Sequence, residues 1–261
     1  GSGAIIENNG ILTIVGGTVS STGANGGSAI QNNGQLIIDG TEIIGSSIRD
    51  NGGWPSYPIN NYGSSIIIKN AKITGYQGAI ACNTAGTVTL EDCTINKEYL
   101  NTSSHVFYIN HDEAKVIVNG GTYTHIGMDG SLAYVNKGII TINGGTFDAS
   151  NGGYGIAALT NGNVVINGGT FNNALFDWGG SISIKGGTFS VKPNDNFIAD
   201  GYKVIEKNGK YVVVADEVDD VASNNEELTN ALSAAQNGDT IYVATGEYTA
   251  LTGVKDGVTI D

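Results

Sequence analysis

An eight-residue unit recurs eight times between Leu12 and Phe189, and this recurrence restricts the chain more than any other feature. The units read LTIVGGTV from Leu12, LIIDGTEI from Leu36, IIIKNAKI from Ile66, VTLEDCTI from Val88, VIVNGGTY from Val116, ITINGGTF from Ile140, VVINGGTF from Val164 and ISIKGGTF from Ile182. Successive starts are 24, 30, 22, 28, 24, 24 and 18 residues apart. A repeat of roughly 20–50 residues is one supersecondary unit that buries its apolar face only by stacking on its neighbours. The uneven spacing is then carried by loops between units.

Each position of the unit has a physical role. The first and third positions are aliphatic in every copy, from Leu12 and Ile14 to Ile182 and Ile184. Alternate residues of a strand share a face, so both columns point inward. Burying each such side chain is worth roughly 1.5–3 kcal/mol, enough to drive stacking. The fifth position holds Gly16, Gly40, Asn70, Asp92, Gly120, Gly144, Gly168 and Gly186. These residue types tolerate positive φ, so a left-handed corner is expected there in every rung. The sixth is small, as a tight corner requires. The eighth runs Val19, Ile43, Ile73, Ile95, Tyr123, Phe147, Phe171, Phe189 and reads as a third inward column.

The outward columns support the same register. At the fourth position Asp39, Lys69 and Glu91 follow one another, then Asn119, Asn143 and Asn167; at the seventh, Glu42 precedes Lys72. Strands stacked about 4.8 Å apart bring such residues together as ion pairs and amide ladders. Lys69 is therefore expected beside Asp39, and Lys72 beside Glu42. A second strand begins near Ala4, Ala29, Ala79, Ala133 and Ala157 and ends in an Asn-Gly-like turn. The single-handed crossover of parallel strands makes the expected coil right-handed.

The pattern stops after Ser190. Residues 197–214 read as a hairpin, with strands Tyr202 to Glu206 and Tyr211 to Val214 about an Asn208-Gly209 turn, placed to cover the open end of the coil. The acidic stretch 215–223 reads as a linker. Ser223 and Glu226 form an S-x-x-E capping box ahead of an apolar stripe of Leu228, Ala231, Leu232 and Ala235, with Gly238 as the stop. Strands TIYVA from Thr240 and VTID from Val258 follow. The predicted fold is all-β: a right-handed parallel β-helix of about eight rungs over residues 1–196, a capping hairpin over 197–214, and over 224–261 a capping α-helix with the first strands of a second, incomplete β-helix.

The order of helix, GDTIYVATGEYT and strand resembles the N-terminal cap and first coil of the pectate-lyase-like β-helix superfamily. The repeats, together with FIADGYKVIEKNGKYVVV, resemble the GGTF-repeat β-helices of phage virion and tail proteins and of large bacterial surface proteins. The resemblance implies a virion or extracellular, cell-surface location.

Composition excludes several partners. Net charge is −13 and Arg49 is the one arginine. Nucleic acids and polyanionic glycans need clustered cations that this chain lacks. No apolar run approaches the roughly 18 residues of a membrane helix. Cys82 and Cys93 have no metal-ligand spacing and read as free thiols, and no cofactor is implied.

Catalysis finds little support in the residues. A uronate lyase needs a base and cations at the substrate carboxylate. A glycosidase needs two carboxylates about 5–9.5 Å apart. Asp39 and Glu42 are better explained as ladder ion pairs, Asp112-Glu113 beside His111 as a solvated turn, and the histidines His105, His111 and His125 as no metal site. Binding is easier to place. The longest insertion carries Arg49, Trp54, Tyr57 and Tyr62, and long solenoid insertions map to functional loops. Aromatic faces stack on sugars or anchor protein partners. The expected function is a non-catalytic structural and adhesive module of a phage virion (capsid or tail fibre) or bacterial surface protein. A host-surface glycan or protein, neighbouring subunits or further copies of the chain are its partners. The alternative is a carbohydrate-active enzyme, a polysaccharide lyase or glycoside hydrolase, or an inactive relative.

Overall fold

Each repeat unit folds as a strand, a corner and a second strand, and stacks in parallel register on the unit before it. The structure, a computed structural model, describes residues 3–21, 27–47, 56–98, 104–127, 130–149, 153–218, 221–245, 248–249 and 258–261. Three walls run the length of a parallel β-solenoid. In chain order within a rung they are an entry wall beginning at Ile6–Asn8, a middle wall beginning at Ile11–Val15 and an exit wall beginning at Thr18–Ser20. The first position of all eight units forms one file along the middle wall. The eighth position forms another along the exit wall. The six inner rungs are held between neighbours on both sides. Among the described residues, no helix is long and apolar enough to cross a membrane.

The three expected inward columns are the core. From the second rung onward their members are buried, including Leu36, Ile68, Ile95, Ile142 and Phe171. Leu12, Ile14 and Val19 of the first rung are only partly buried. The entry wall supplies a fourth file and also completes rungs where the sequence showed no second strand: Ile59–Asn61, Phe107–Ile109 and Leu175–Trp178 pair in line with the rest. Asn8, Asn32 and Asn61 point inward here as a buried amide ladder. Asn8 Nδ2 donates to Asn32 Oδ1 at 2.7 Å and Asn32 Nδ2 to Asn61 Oδ1 at 2.9 Å.

The corner differs from expectation in the later rungs. At the fifth position φ is 64° at Gly16, 60° at Gly40 and 50° at both Asn70 and Asp92. From the fifth rung on, the sixth position takes a φ near 100°, with 95° at Gly121, 105° at Gly145, 110° at Gly169 and 111° at Gly187, while in the fifth rung Gly120 is also positive at 127°. A φ near 100° is open only to glycine, so rungs with Thr41, Ala71 or Cys93 at the sixth position turn one residue earlier, where Asn and Asp tolerate the left-handed α region. The double glycine also accommodates the aromatic column. A Cβ on Gly169 would lie 2.9 Å from Gly145 O and 3.4 Å from Phe171 Cε2.

The outward ladders form, with one exchange of partner. Lys72 Nζ lies 2.9 Å from Glu42 Oε1. Lys69 is in register with Asp39, but its ammonium turns to Glu91 on the next rung at 2.7 Å, and Asp39 accepts from Asn70 Nδ2 at 3.0 Å. A lysine between two acids can satisfy only one closely, and the amide of Asn70 serves the other. Asn143 Nδ2 donates to Asn119 Oδ1 at 2.7 Å, and Asn167 Nδ2 to Asn143 Oδ1 at 2.8 Å.

The hairpin Tyr202–Lys207 and Lys210–Ala215 forms about the expected turn, with Asn208 at φ 51°. Its second strand pairs antiparallel with Gly187–Phe189 and so covers the last exit-wall edge. Phe197 joins the core, and Ile198 bridges Ile184 at the end of the middle wall. The helix spans Asn225–Ala234, and its cap lies one residue later than the sequence suggested. Asn224 accepts from Glu227 N–H at 2.9 Å, while Glu227 Oε2 accepts from Ser223 N–H at 2.9 Å. Ser223/Glu226 and Asn224/Glu227 satisfy the same pattern, and the second pair seats Leu228 and Leu232 inward. Strands Thr240–Ile241 and Thr259–Ile260 pair in parallel.

Candidate functional site

The outward positions of the entry wall change character along the solenoid. They run Glu7, Gln31, Asn60, Ala81, Tyr108, Tyr134, Ala157, Phe176 on successive rungs. A parallel stack places like positions about 4.8 Å apart, so the later members form an aromatic row along the axis. Tyr108 and Tyr134 have ring centroids 6.0 Å apart with planes 23° from parallel.

Flanking residues extend the row where the outward position is small. Ala157 is fully covered. Trp178 meets Tyr134 edge-on at 6.4 Å and Tyr154 at 5.4 Å, and Tyr154 meets Phe176 at 5.1 Å. At the other end Tyr57 lies 6.1 Å from Tyr108, and a Cβ on Gly78 would lie 2.3 Å from its Cε1. Gly78 therefore provides the space that the Tyr57 ring occupies. The row is solvent-facing at its far end, where Tyr154 is 41% and Trp178 44% exposed.

His105 sits against the row, its ring 4.4 Å from that of Tyr134 and 21° from parallel. Its Nδ1 accepts from Ser131 N–H at 3.1 Å, which places the proton of the neutral ring on Nε2. Burial, with His125 and Lys97 nearby, pushes its pKa down to about 3. Asn136 Nδ2 donates to Asn110 Oδ1 at 2.6 Å, and Lys137 pairs with Asp112 at 3.4 Å.

The residues first singled out for binding divide. Arg49 and Trp54 lie outside the described residues. Tyr57 is 7% exposed and packed at the near end of the row rather than presented on a loop, and burial with the neighbouring Tyr108 raises its phenol pKa. Tyr62 is 45% exposed and shows no ring contact among the described residues. Phe107 is core, as its strand position suggested, but Tyr108 points out. Tyr134, Tyr154, Phe176 and Trp178 escaped the sequence reading. The signal was the outward column of the second strand, readable only once rungs five and eight were aligned.

The acidic and histidine candidates occupy other sites. Asp39 and Glu42 are engaged in the ladders described above. His111 Nδ1 accepts from Glu113 N–H at 3.2 Å on an exposed turn. His125 is fully buried, donates from Nε2 to Ser104 O at 3.2 Å, and stands in register with the fully buried Lys97, whose Nζ donates to Ile126 O at 3.2 Å. Among the described residues, no three His, Cys, Asp or Glu side chains gather in an arrangement that could hold a metal ion. A cavity of about 700 Å³ lies between the exit-wall threonines Thr146, Thr170 and Thr188, the hairpin turn and Ser223.

No family model matches the sequence, and neither curated proteins nor solved structures give a match.

Proposed function

We propose that this chain is a non-catalytic structural and adhesive β-helix module of a phage virion, in its capsid or tail fibre, or of a bacterial cell-surface protein. The observation that carries the reading is the aromatic row from Tyr108 to Trp178, open to solvent at Tyr154 and Trp178. Exposed aromatic rings set side by side on a rigid scaffold are suited to binding, because little conformational entropy is lost when they are covered. The scaffold is held by strand pairing: Tyr108, Tyr134 and Tyr154 stand on strands hydrogen-bonded to rungs on either side, and Phe176 and Trp178 on the last entry-wall strand, paired to the rung before it. The likeness of the repeats and of the 197–214 segment to GGTF-repeat β-helices supports the virion or surface location.

The carboxylates favour the same reading. Glu42 is neutralised by Lys72, and Asp39 is held by Asn70 on a different wall from the aromatic row. A glycosidase would need two acids free to flank one bond, whereas these two are held in the outward ladders. The test is to incubate the chain with a panel of neutral and acidic glycans, measuring both retention and release of reducing ends. Retention without release supports the adhesive module. Release of oligosaccharides abolished by Asp39→Asn or Glu42→Gln overturns it in favour of an enzyme.

A further inference from the structure

We propose that the aromatic row is a docking platform for a neutral oligosaccharide laid along the solenoid axis, an inference that rests on the adhesive reading above. Tyr108, Tyr134 and Phe176 share one outward file and so line up along the axis, with Tyr154 and Trp178 beside it. Tyr108, Tyr134, Tyr154 and the Phe176–Trp178 pair stand on four consecutive rungs, so the platform extends ~14 Å along the axis at the spacing of stacked strands. An extended ligand with repeating apolar faces fits such a ridge better than a compact one does. Pyranose rings present C–H faces to aromatic rings and direct their hydroxyls sideways. Polar groups are available at that margin: Asn110 and Asn136 form one border, and His105 Nε2–H is a donor on the ring stacked against Tyr134.

Charge selects among glycans. Among the described residues no lysine or arginine stands in the outward file of the entry wall, and the two lysines near it, Lys137 and Lys192, are paired with Asp112 and Asp195. His105 stays neutral well below physiological pH. A uronate or sialylated polymer would meet no free cation in that file, on a chain whose net charge is −13. A protein partner is a poorer fit, since hot spots form in pockets that close around an anchor, whereas Tyr154 and Trp178 stand widely exposed on the wall.

The small outward residues belong to the same design. Ala81 and Ala157 occupy outward positions yet are almost wholly covered. A large side chain at Ala157 would displace the Trp178 ring that spans from rung eight to Tyr134. The platform depends on that alanine as well as on the aromatics.

The experiment is isothermal titration of the full chain with oligosaccharides of a neutral β-glucan and a neutral mannan, and with a polyuronate, at low and high salt. The expected result is binding of a neutral oligosaccharide that high salt leaves unchanged, with no polyuronate binding. Trp178→Ala and Tyr154→Ala should each weaken it by about tenfold or more, while Trp178→Phe retains most of it. Thermal unfolding of each variant is measured alongside, and Tyr154→Ala carries the test should Trp178→Ala not fold. Neutral-glycan binding that ignores both alanine variants, salt-sensitive binding of the polyuronate alone, or no binding of any neutral glycan overturns the inference. In the last two cases the adhesive reading survives if the chain still retains a surface protein or an acidic polymer. Release of reducing ends from any polymer removes the adhesive reading instead.

Discussion

Phe171 stacks on Phe189 with ring centroids 4.9 Å apart and planes 10° from parallel. The same spacing continues upward through Phe147 and Tyr123, at 5.0 and 4.8 Å. The rings fit because the backbone beneath them has no Cβ: one on Gly187 would lie 3.4 Å from Phe171 Cε2 and 3.0 Å from Gly169 O. The GGTF signature is thus one packing solution, in which a glycine-only turn makes room for an aromatic two residues later.

Corner glycines are therefore of two kinds. Gly40→Asn should be nearly neutral, because its φ of 60° matches that of Asn70 on the next rung and the space around it is open. Gly169→Asn should cost about 1–3 kcal/mol or more, since φ of 110° is closed to asparagine. Urea midpoints of the two variants compare them directly, and equal losses would show that the corners are interchangeable.

The two amide ladders should differ in worth. Asn32 is fully buried and bonds to Asn8, Asn61 and Gly34 O, so Asn32→Ala leaves buried partners short of a bond and should cost about 2–3 kcal/mol. Asn143→Ala removes an exposed ladder member whose partners turn to water, a loss expected to stay under about 1 kcal/mol. A larger loss at Asn143 than at Asn32 would contradict the burial argument.

Acid should weaken the fold before the carboxylates titrate. Desolvation, more than their charged neighbours, lowers the pKa of His105 to about 3 and of His125 to about 4, from 6.5 for an unperturbed ring. On acidification the unfolded chain takes up these protons first, so the stability is complete above about pH 7 and is lost as pH falls through 6.5 towards the folded values. The urea midpoint is expected to drop between pH 7 and pH 5, and His105→Asn with His125→Asn to flatten that slope. An unchanged slope in the double variant would show that other groups carry it.

The sequence revealed the inward columns because stacking imposes one residue type on a whole file: Ile14 through Ile184 needed no partner to be recognised. It concealed what depends on two files at once. Lys69 lies between Asp39 and Glu91, and no single column shows which acid its ammonium approaches. The shift of the corner to Gly121, Gly145, Gly169 and Gly187 was hidden because each of these Gly-Gly pairs offers two adjacent residues that tolerate positive φ. The aromatic row was hidden for a related reason. Tyr57, Tyr108, Tyr154 and Trp178 come from segments of different length, and only the paired register of the entry wall brings them onto one face.

Core substitution tests the register itself. Ile142 is fully buried at the third position of its unit, with Val118 and Ile166 above and below it in the file. Ile142→Asp places a carboxylate there without a partner, which costs several kcal/mol and should abolish soluble folded protein. Ile142→Val keeps the shape less one methyl and should cost about 0.5–1.5 kcal/mol. A soluble Ile142→Asp variant with native far-UV circular dichroism would refute the threading.

The thiols provide an independent report on how the rungs open. Cys82 points into the core from the entry wall, between Asn61 and Ile109, and burial pushes its pKa up to about 12. Cys93 lies at the corner of the same rung, its Sγ 3.4 Å from both Ile68 O and Glu91 O, and burial raises its pKa as well. Both are free and buried. A thiol reacts as thiolate and only when reached, so neither should label with a disulfide reagent near pH 8 in native buffer, and both should label at once in denaturant. Because the rung has neighbours on both sides, exposing either thiol requires several ladders to part together. The two should therefore label at one shared rate that rises with urea as global stability falls. Prompt labelling of Cys82 in native buffer, at a rate urea does not change, would mean that this rung opens locally and that its core packing is not as described.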